Sequence, residues 1–263
     1  MAKLKTISLS LYLCLLLSPC TVAQTRMPSA NSDDRVTITP HTVAFPRKSN
    51  PVRASWPDEK TVINYPEITG LRNETVLNRI QTTLQLKNVF GFTVEEYRED
   101  ESGWLETVGF TVNYNRDYIL DIRFMELGSA MHGEVIQKRF TIDLRTGNVL
   151  TPTDIFVAER MDQLSKLVDK KLQEEIKEIR DRFRNAGEQV PSDLENIFRK
   201  LKFETADLSN FEVNTTGVMF AKKVSFPHGF GFDLYRPDGR YYFTHAELKP
   251  YLRTDGLLWQ FVD

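Results

Sequence analysis

Apolar and polar positions change rhythm several times along the chain, and each rhythm predicts an element. From 24 to about 60 no period survives: the stretch is polar and carries Pro28, Pro40, Pro46, Pro51 and Pro57. It reads as a loosely attached arm, in which Val36-Thr37-Ile38-Thr39 offers at most an edge strand. Thr61-Val62-Ile63 reads as a first strand. Val76, Leu77, Ile80 and Leu84 then recur at helical spacing and predict a helix over 73–87, ended by Gly91. Alternation takes over at Val108, Phe110, Val112 and Tyr114. After Asn115-Arg116-Asp117 it resumes at Tyr118, Leu120, Ile122 and Phe124. Two such runs around a polar turn predict an antiparallel hairpin with one buried face. Ile136, Phe140, Ile142 and Leu144 predict a third strand over 134–144, and Arg145–Asn148 a turn into Val149-Leu150.

The longest period lies in 158–185. Met161, Leu164, Val168, Leu172, Ile176, Ile179 and Phe183 repeat every three or four residues on an otherwise charged background. This predicts one amphipathic helix on a sheet, stopped at Gly187. The alternative is a protruding arm that docks a partner. A short helix follows over 192–202, with Ser192 as cap. Strands are predicted at 211–214, 218–224, 231–235 and 240–243, and a last helix at 245–252. The order gives an α+β fold: mostly antiparallel sheets packed by one long and several short helices. The folded part is expected over 60–263, with subdomains near 60–125 and 126–263 as an option.

Residues 1–23 stand apart from all of this. Lys3 and Lys5 precede an apolar run from Ile7 to Leu17, then Pro19 and the small residues Thr21-Val22-Ala23. That is the layout of a secretory signal peptide. The run is too short for a span, which takes roughly 20 residues. Both cysteines, Cys14 and Cys20, lie inside it, so the mature chain has no thiol for a disulfide, a nucleophile or a metal. Removing two lysines and no acid takes the net charge from −2 to −4, which argues against nucleic acid or an anionic membrane as partner. An alternative attaches a lipid at Cys20, although Pro19 sits where such signals carry Gly, Ala or Ser.

Candidate chemistry is sparse. There is no G-x-S-x-G, H-E-x-x-H, P-loop or G-x-G-x-x-G. His132-Gly133-Glu134 matches part of the zinc deaminase motif, but the two cysteines that motif needs are missing. His41 falls in the arm, and His228 and His245 are isolated. Glu95, Glu96, Glu99, Asp100 and Glu101 surround Tyr97 and read as a solvated loop or strand edge. Their spacing fits no calcium loop. In Ser225–Phe232 three aromatics, two glycines and a histidine share a loop or strand edge; they suit either ligand contact or a plug at the end of a sheet. The candidate binding residues are therefore His132, Phe226, His228 and Phe230, with no catalytic residue, metal or cofactor assigned. Asn73-Glu74-Thr75 and Asn214-Thr215-Thr216 fit the glycosylation triplet, which matters only in a eukaryotic secretory pathway.

Several segments taken in order carry a resemblance: Tyr65–Asn73, Val112-Asn113-Tyr114-Asn115, Gly128–His132, Thr141–Asn148, Leu150–Phe156 and Tyr242–Leu248 before Tyr251-Leu252. The chain resembles, over roughly 60–255, the extracytoplasmic domain of RsiV-type lysozyme-sensing anti-sigma factors, also found beside PdaC-type deacetylases. The resemblance implies an α+β binding module at a bacterial envelope. The sigma-binding segment and the deacetylase domain of those proteins have no counterpart here, so neither activity is carried over. The expectation is an exported, periplasmic or extracellular module that binds a protein or a cell-wall glycan without chemistry of its own. The rivals are a wall-polymer hydrolase using unrecognised acids and an accessory protein assembling through the long helix. Mass spectrometry of the secreted protein is expected to find Gln24 at the mature N-terminus; a diacylglyceryl group on Cys20 would show the tethered form instead.

Overall fold

The computed structural model describes residues 33–47, 60–100, 102–128, 134–224 and 232–262. Residues 1–32, among them the expected signal peptide and Cys20, lie outside these. A five-stranded sheet has the order β1 (Thr37–Pro46), β2 (Lys60–Thr69), β3 (Leu105–Arg116), β4 (Ile119–Gly128), β5 (Glu134–Asp143). All its pairings are antiparallel except a short parallel match of β2 with β3 at Val62/Thr107 and Ile63/Val108. That parallel step needs a crossover. It is supplied by α1 (Glu74–Thr83), α2 (Leu86–Phe90) and α3 (Val94–Glu99). After α4 (Pro152–Ile155), α5 (Met161–Asn185) and α6 (Ser192–Lys200), a second antiparallel sheet forms from β6 (Phe211–Val213), β7 (Gly217–Ala221) and β8 (Arg240–Thr244). A short α7 (His245–Leu248) follows. The α+β class and the mostly antiparallel pairing agree with the sequence expectation.

The arm does not. Thr37–Pro46 pairs with β2 through ten consecutive residues, so the folded part begins well before residue 60. Pro40 and Pro46 hide the strand from a periodicity reading, yet an edge strand tolerates proline because its outer side needs no N–H donor. Asn115 clamps the strand's start. Its Oδ1 accepts from the Val36 N–H at 3.0 Å and its Nδ2 donates to the Val36 carbonyl at 2.8 Å. The suggested subdomain boundary near 125/126 falls inside β4, whose neighbours lie on either side of it in sequence.

The predicted one-sided hairpin also differs. Val112 pairs with Ile122 but Tyr114 pairs with Asp121, so Asn113 is a bulge. One extra residue turns every later side chain to the other face. Phe110 and Val112 therefore join the α1 side, while Tyr114 joins the core built around α5. The turn itself is Asp117-Tyr118, both at positive φ (54° and 63°), as a two-residue hairpin loop requires. Tyr118 is held there by its N–H to the Asp34 carbonyl and by its carbonyl to the Leu144 N–H.

Three apolar clusters form among the described residues. One lies between α1 and the strands at Leu120, Ile122, Phe124 and Ile142; a smaller one joins Ile63, Leu86, Tyr97 and Val108. The largest is organised by α5, whose stripe Leu164, Val168, Leu172, Ile176, Ile179 and Phe183 is buried beside Phe220, Tyr241 and Phe243. The stripe is thus occupied within the chain, which removes the reading of a protruding docking helix. Polar bonds fix its seating: Arg180 makes a bidentate pair with Glu195 of α6 at 3.0 and 2.8 Å, and Glu175 accepts the Tyr241 hydroxyl at 2.9 Å. Smaller differences are local. Ser192 is the first helical residue and not the cap, and Phe232–Tyr235 is a 3-10 turn in place of a strand. The acidic stretch around Tyr97 is α3, with Thr93 and Glu96 closing a capping box.

Leu172 is fully buried and Lys170 is exposed on the same helix. Leu172→Ala is expected to lower unfolding stability by about 2–5 kcal/mol in urea titrations, through lost transfer energy and a residual cavity. Lys170→Ala should stay within about 0.5 kcal/mol.

Candidate groove on the first hairpin

A groove of about 620 Å³ lies between the β1–β2 hairpin and the three crossover helices. Its floor comes from strand pairing. His41 and Tyr65 are direct cross-strand partners, and their rings stack 5.7 Å apart at 23°. Glu67, the diagonal neighbour of His41, meets His41 Nε2 at 2.6 Å through Oε2. Direct and diagonal neighbours on one face are the pairs whose side chains reach each other in an antiparallel ladder. His41 and Glu67 are each about half exposed, so this contact is solvated and adds little stability.

The walls are helical, and polar bonds set their distance from the floor. Gln81 of α1 donates through Nε2 to the Ile68 carbonyl at 2.7 Å, which ties the helix to β2. Lys87 of α2 bonds Glu96 of α3 at 2.6 Å. The lysine and the Thr93 N–H hold the Glu96 carboxyl below its usual range. Gln85, Glu95 and Arg98 complete the polar lining, while Val43, Leu84 and Leu86 add apolar surface. A mixed apolar and polar cleft with an aromatic pair at its base is suited to holding a ligand.

A second polar constellation lies where the two sheets meet. Asp121 on β4 is buried and accepts three hydrogen bonds: Thr141 Oγ1 at 2.6 Å, Asn113 Nδ2 at 2.8 Å and the Val213 N–H at 2.9 Å. Burial dominates these bonds and, with the charge of Glu212 nearby, pushes its carboxyl up to about 6. Glu212 on β6 is buried as well and faces three arginines, Arg123, Arg139 and Arg240. Elsewhere His245 stacks on Phe261 and its Nε2 lies 3.3 Å from the Asn214 carbonyl; burial pushes this imidazole down, toward its neutral form. That is the environment of a core histidine.

The expected site residues His132, Phe226, His228 and Phe230 lie outside the described residues. His41 is the groove residue that sequence reasoning passed over, because it sat in the supposed arm. The signal available was the run of β-formers Val36-Thr37-Ile38-Thr39 just before it, which suits an edge strand. Both glycosylation triplets are used by the fold. Asn73 caps α1 by accepting from the Thr75 and Val76 N–H groups, and Asn214 accepts from Thr216 and Gly217 in a turn. Among the described residues no group of three His, Cys, Asp or Glu side chains is placed to hold a metal, and no helix is long and apolar enough to cross a membrane.

No protein-family description and no curated protein matches the sequence. Solved structures do share the fold. A member of the DUF3298 family from Bacteroides fragilis NCTC 9343 is 12% identical with a TM-score of 0.57, over 86% of this chain and 98% of that one. A DUF3298 family protein from Pseudomonas aeruginosa PAO1 is 10% identical with a TM-score of 0.54, over 87% of this chain and 98% of that one. At these identities the likeness establishes the fold alone. The fold is compatible with the RsiV-type resemblance noted in the sequence.

The electrostatics of Asp121 give a signed prediction. Its folded-state affinity for a proton is raised, so below about pH 4 both folded and unfolded forms are protonated. Between about pH 4 and 6 only the folded form keeps the proton, and stability from this group falls as pH rises through that window. The stability advantage of the native protein over Asp121→Asn is expected to shrink by on the order of 2–3 kcal/mol from pH 4 to pH 7. Urea midpoints at several pH values measure it; a difference independent of pH would show that the arginines keep Asp121 ionised throughout.

Proposed function

We propose that this protein is an exported module of a bacterial envelope that binds a cell-wall glycan or a lysozyme-like protein and performs no chemistry on it. The observation that carries the reading is the groove of about 620 Å³: an aromatic pair on paired strands, faced by amides and charges from the crossover helices. Support for the cellular setting comes from the signal-peptide layout of residues 1–23 and from the resemblance to RsiV-type domains. A sugar ring presents apolar C–H faces and a hydroxyl rim. Tyr65 and His41 suit the faces, and Gln85, Glu95 and Arg98 suit the rim.

Titration of the full chain with purified peptidoglycan fragments, and separately with lysozyme, tests the proposal. Saturable binding to one of them is expected. Tyr65→Ala should weaken it about tenfold, which corresponds to about 1.4 kcal/mol of lost contact. Circular dichroism of the variant keeps loss of fold apart from loss of binding. Absence of binding to both ligands would sink the proposal. Binding unaffected by Tyr65→Ala would move the site away from the groove.

A further inference from the structure

The three arginines at the seam between the sheets outnumber the acid they surround. Arg139 has good partners on all three nitrogens: its Nε donates to Glu212 Oε1 at 2.5 Å, Nη1 to Asn210 at 2.6 Å and Nη2 to Gln137 at 3.0 Å. That arginine alone neutralises Glu212. The other two are poorly matched. Arg123 reaches the same Oε1 only at 3.5 Å through Nη1, and Arg240 reaches Oε2 only at 3.9 Å through Nη2. The Nε of Arg240 is directed to the sulfur of Met219 at 3.1 Å, a weak acceptor. A guanidinium has five donors in a fixed fork, and among the described residues most of those on Arg123 and Arg240 have no acceptor.

The positions of the two arginines matter as much as their donors. Arg123 approaches one oxygen of the Glu212 carboxylate and Arg240 the other. Their side chains are 26% and 46% exposed, whereas that of Glu212 is 8% exposed. The acids are thus buried, while Arg123 and Arg240 keep part of their side-chain surface in water. Counting Asp121 as fully ionised, the constellation still holds three positive and two negative charges. Any proton on Asp121 raises the excess. The chain as a whole carries a net charge of −2, so this local excess of positive charge is not a general property of its surface. The backbone beneath is strand-paired: Arg123 and Arg139 are direct partners across β4 and β5, and Arg240 lies on β8, which is linked to Glu212 through β7.

We infer that Arg123 and Arg240 form a binding site for an oxyanion, a carboxylate or phosphate group carried by a ligand, seated above Glu212 and bridging the two guanidiniums. Planar forks of this kind recognise such groups through paired, charge-assisted hydrogen bonds. The ligand group would supply the acceptors that the protein withholds. It would also join β4 of the large sheet to β8 of the small one. The site is separate from the groove and does not depend on the reading given to it.

Isothermal titration of the full chain with inorganic phosphate, and separately with succinate, at constant ionic strength tests the inference. Saturable binding of at least one is expected, with preference between them telling a phosphate ligand from a carboxylate one. In Arg123→Gln/Arg240→Gln the affinity should fall about tenfold or more, since each charge-assisted bond is worth about a factor of ten. Arg145→Gln, at a distant turn where Arg145 pairs with Asp143, should bind as the native chain does. If the double variant does not fold, Arg240→Gln alone decides, because its side chain is the more exposed. No saturable binding of either anion, or equal binding by native and variant chains, would overturn the inference and leave the arginines as a structural tie.

Discussion

One strand must satisfy two cores, and the rest of the structure follows from that demand. On β4, Leu120, Ile122 and Phe124 face α1, while Ile119 enters the cluster around α5. A strand with both faces buried needs cover on both sides. The crossover helices supply one cover. The unit built from α5 and the second sheet supplies the other. The bulge at Asn113 belongs to the same demand, because it lets β3 serve the α1 side with Val112 and the α5 side with Tyr114.

The polar seam is the cost of joining two sheets beside that strand. β6 is short, and at Val213 its N–H turns toward β4, where the Asp121 carboxylate accepts it. An unpaired buried N–H would cost on the order of 1–3 kcal/mol, so a buried acceptor at this point is worth its own desolvation. Asp121 then brings Thr141 and Asn113 into one network, and Glu212 brings the arginines. Such a network discriminates between arrangements of the two sheets more than it stabilises either one, since apolar contacts would tolerate sliding and these bonds do not.

The groove has a different origin. It exists because β2 pairs with β3 over only two residues and then continues with β1 alone. The first hairpin thus extends beyond the sheet, and α1 to α3 must bridge back to it. Wherever the bridge stands off the hairpin a cleft remains, lined by what the strands place on that face: His41, Tyr65 and Glu67. A ligand site made this way depends on β1, although nothing in the periodicity of 37–46 advertises a strand.

The elements legible in the chain are those whose pattern is set locally. The stripe of α5, the helix at Val76–Leu84 and the alternation of β4 and β5 state their period directly, because each residue's fate depends on neighbours three, four or two positions away. Gly91 and Gly187, at φ values of 92° and 73°, were readable as stops for the same reason. The edge strand β1, the bulge at Asn113, the parallel step from β2 to β3 and the convergence of Arg123, Arg139, Arg240 and Glu212 were not. They arise from partners tens of residues away, and no local period encodes a partner. So the sequence by itself determined the α+β class, the long helix with its buried stripe and most strand positions. Only the tertiary structure decided which strand lies at the edge, which face each side chain serves and which charges meet. Periodicity records whether a residue is buried; it takes the packed chain to say against what.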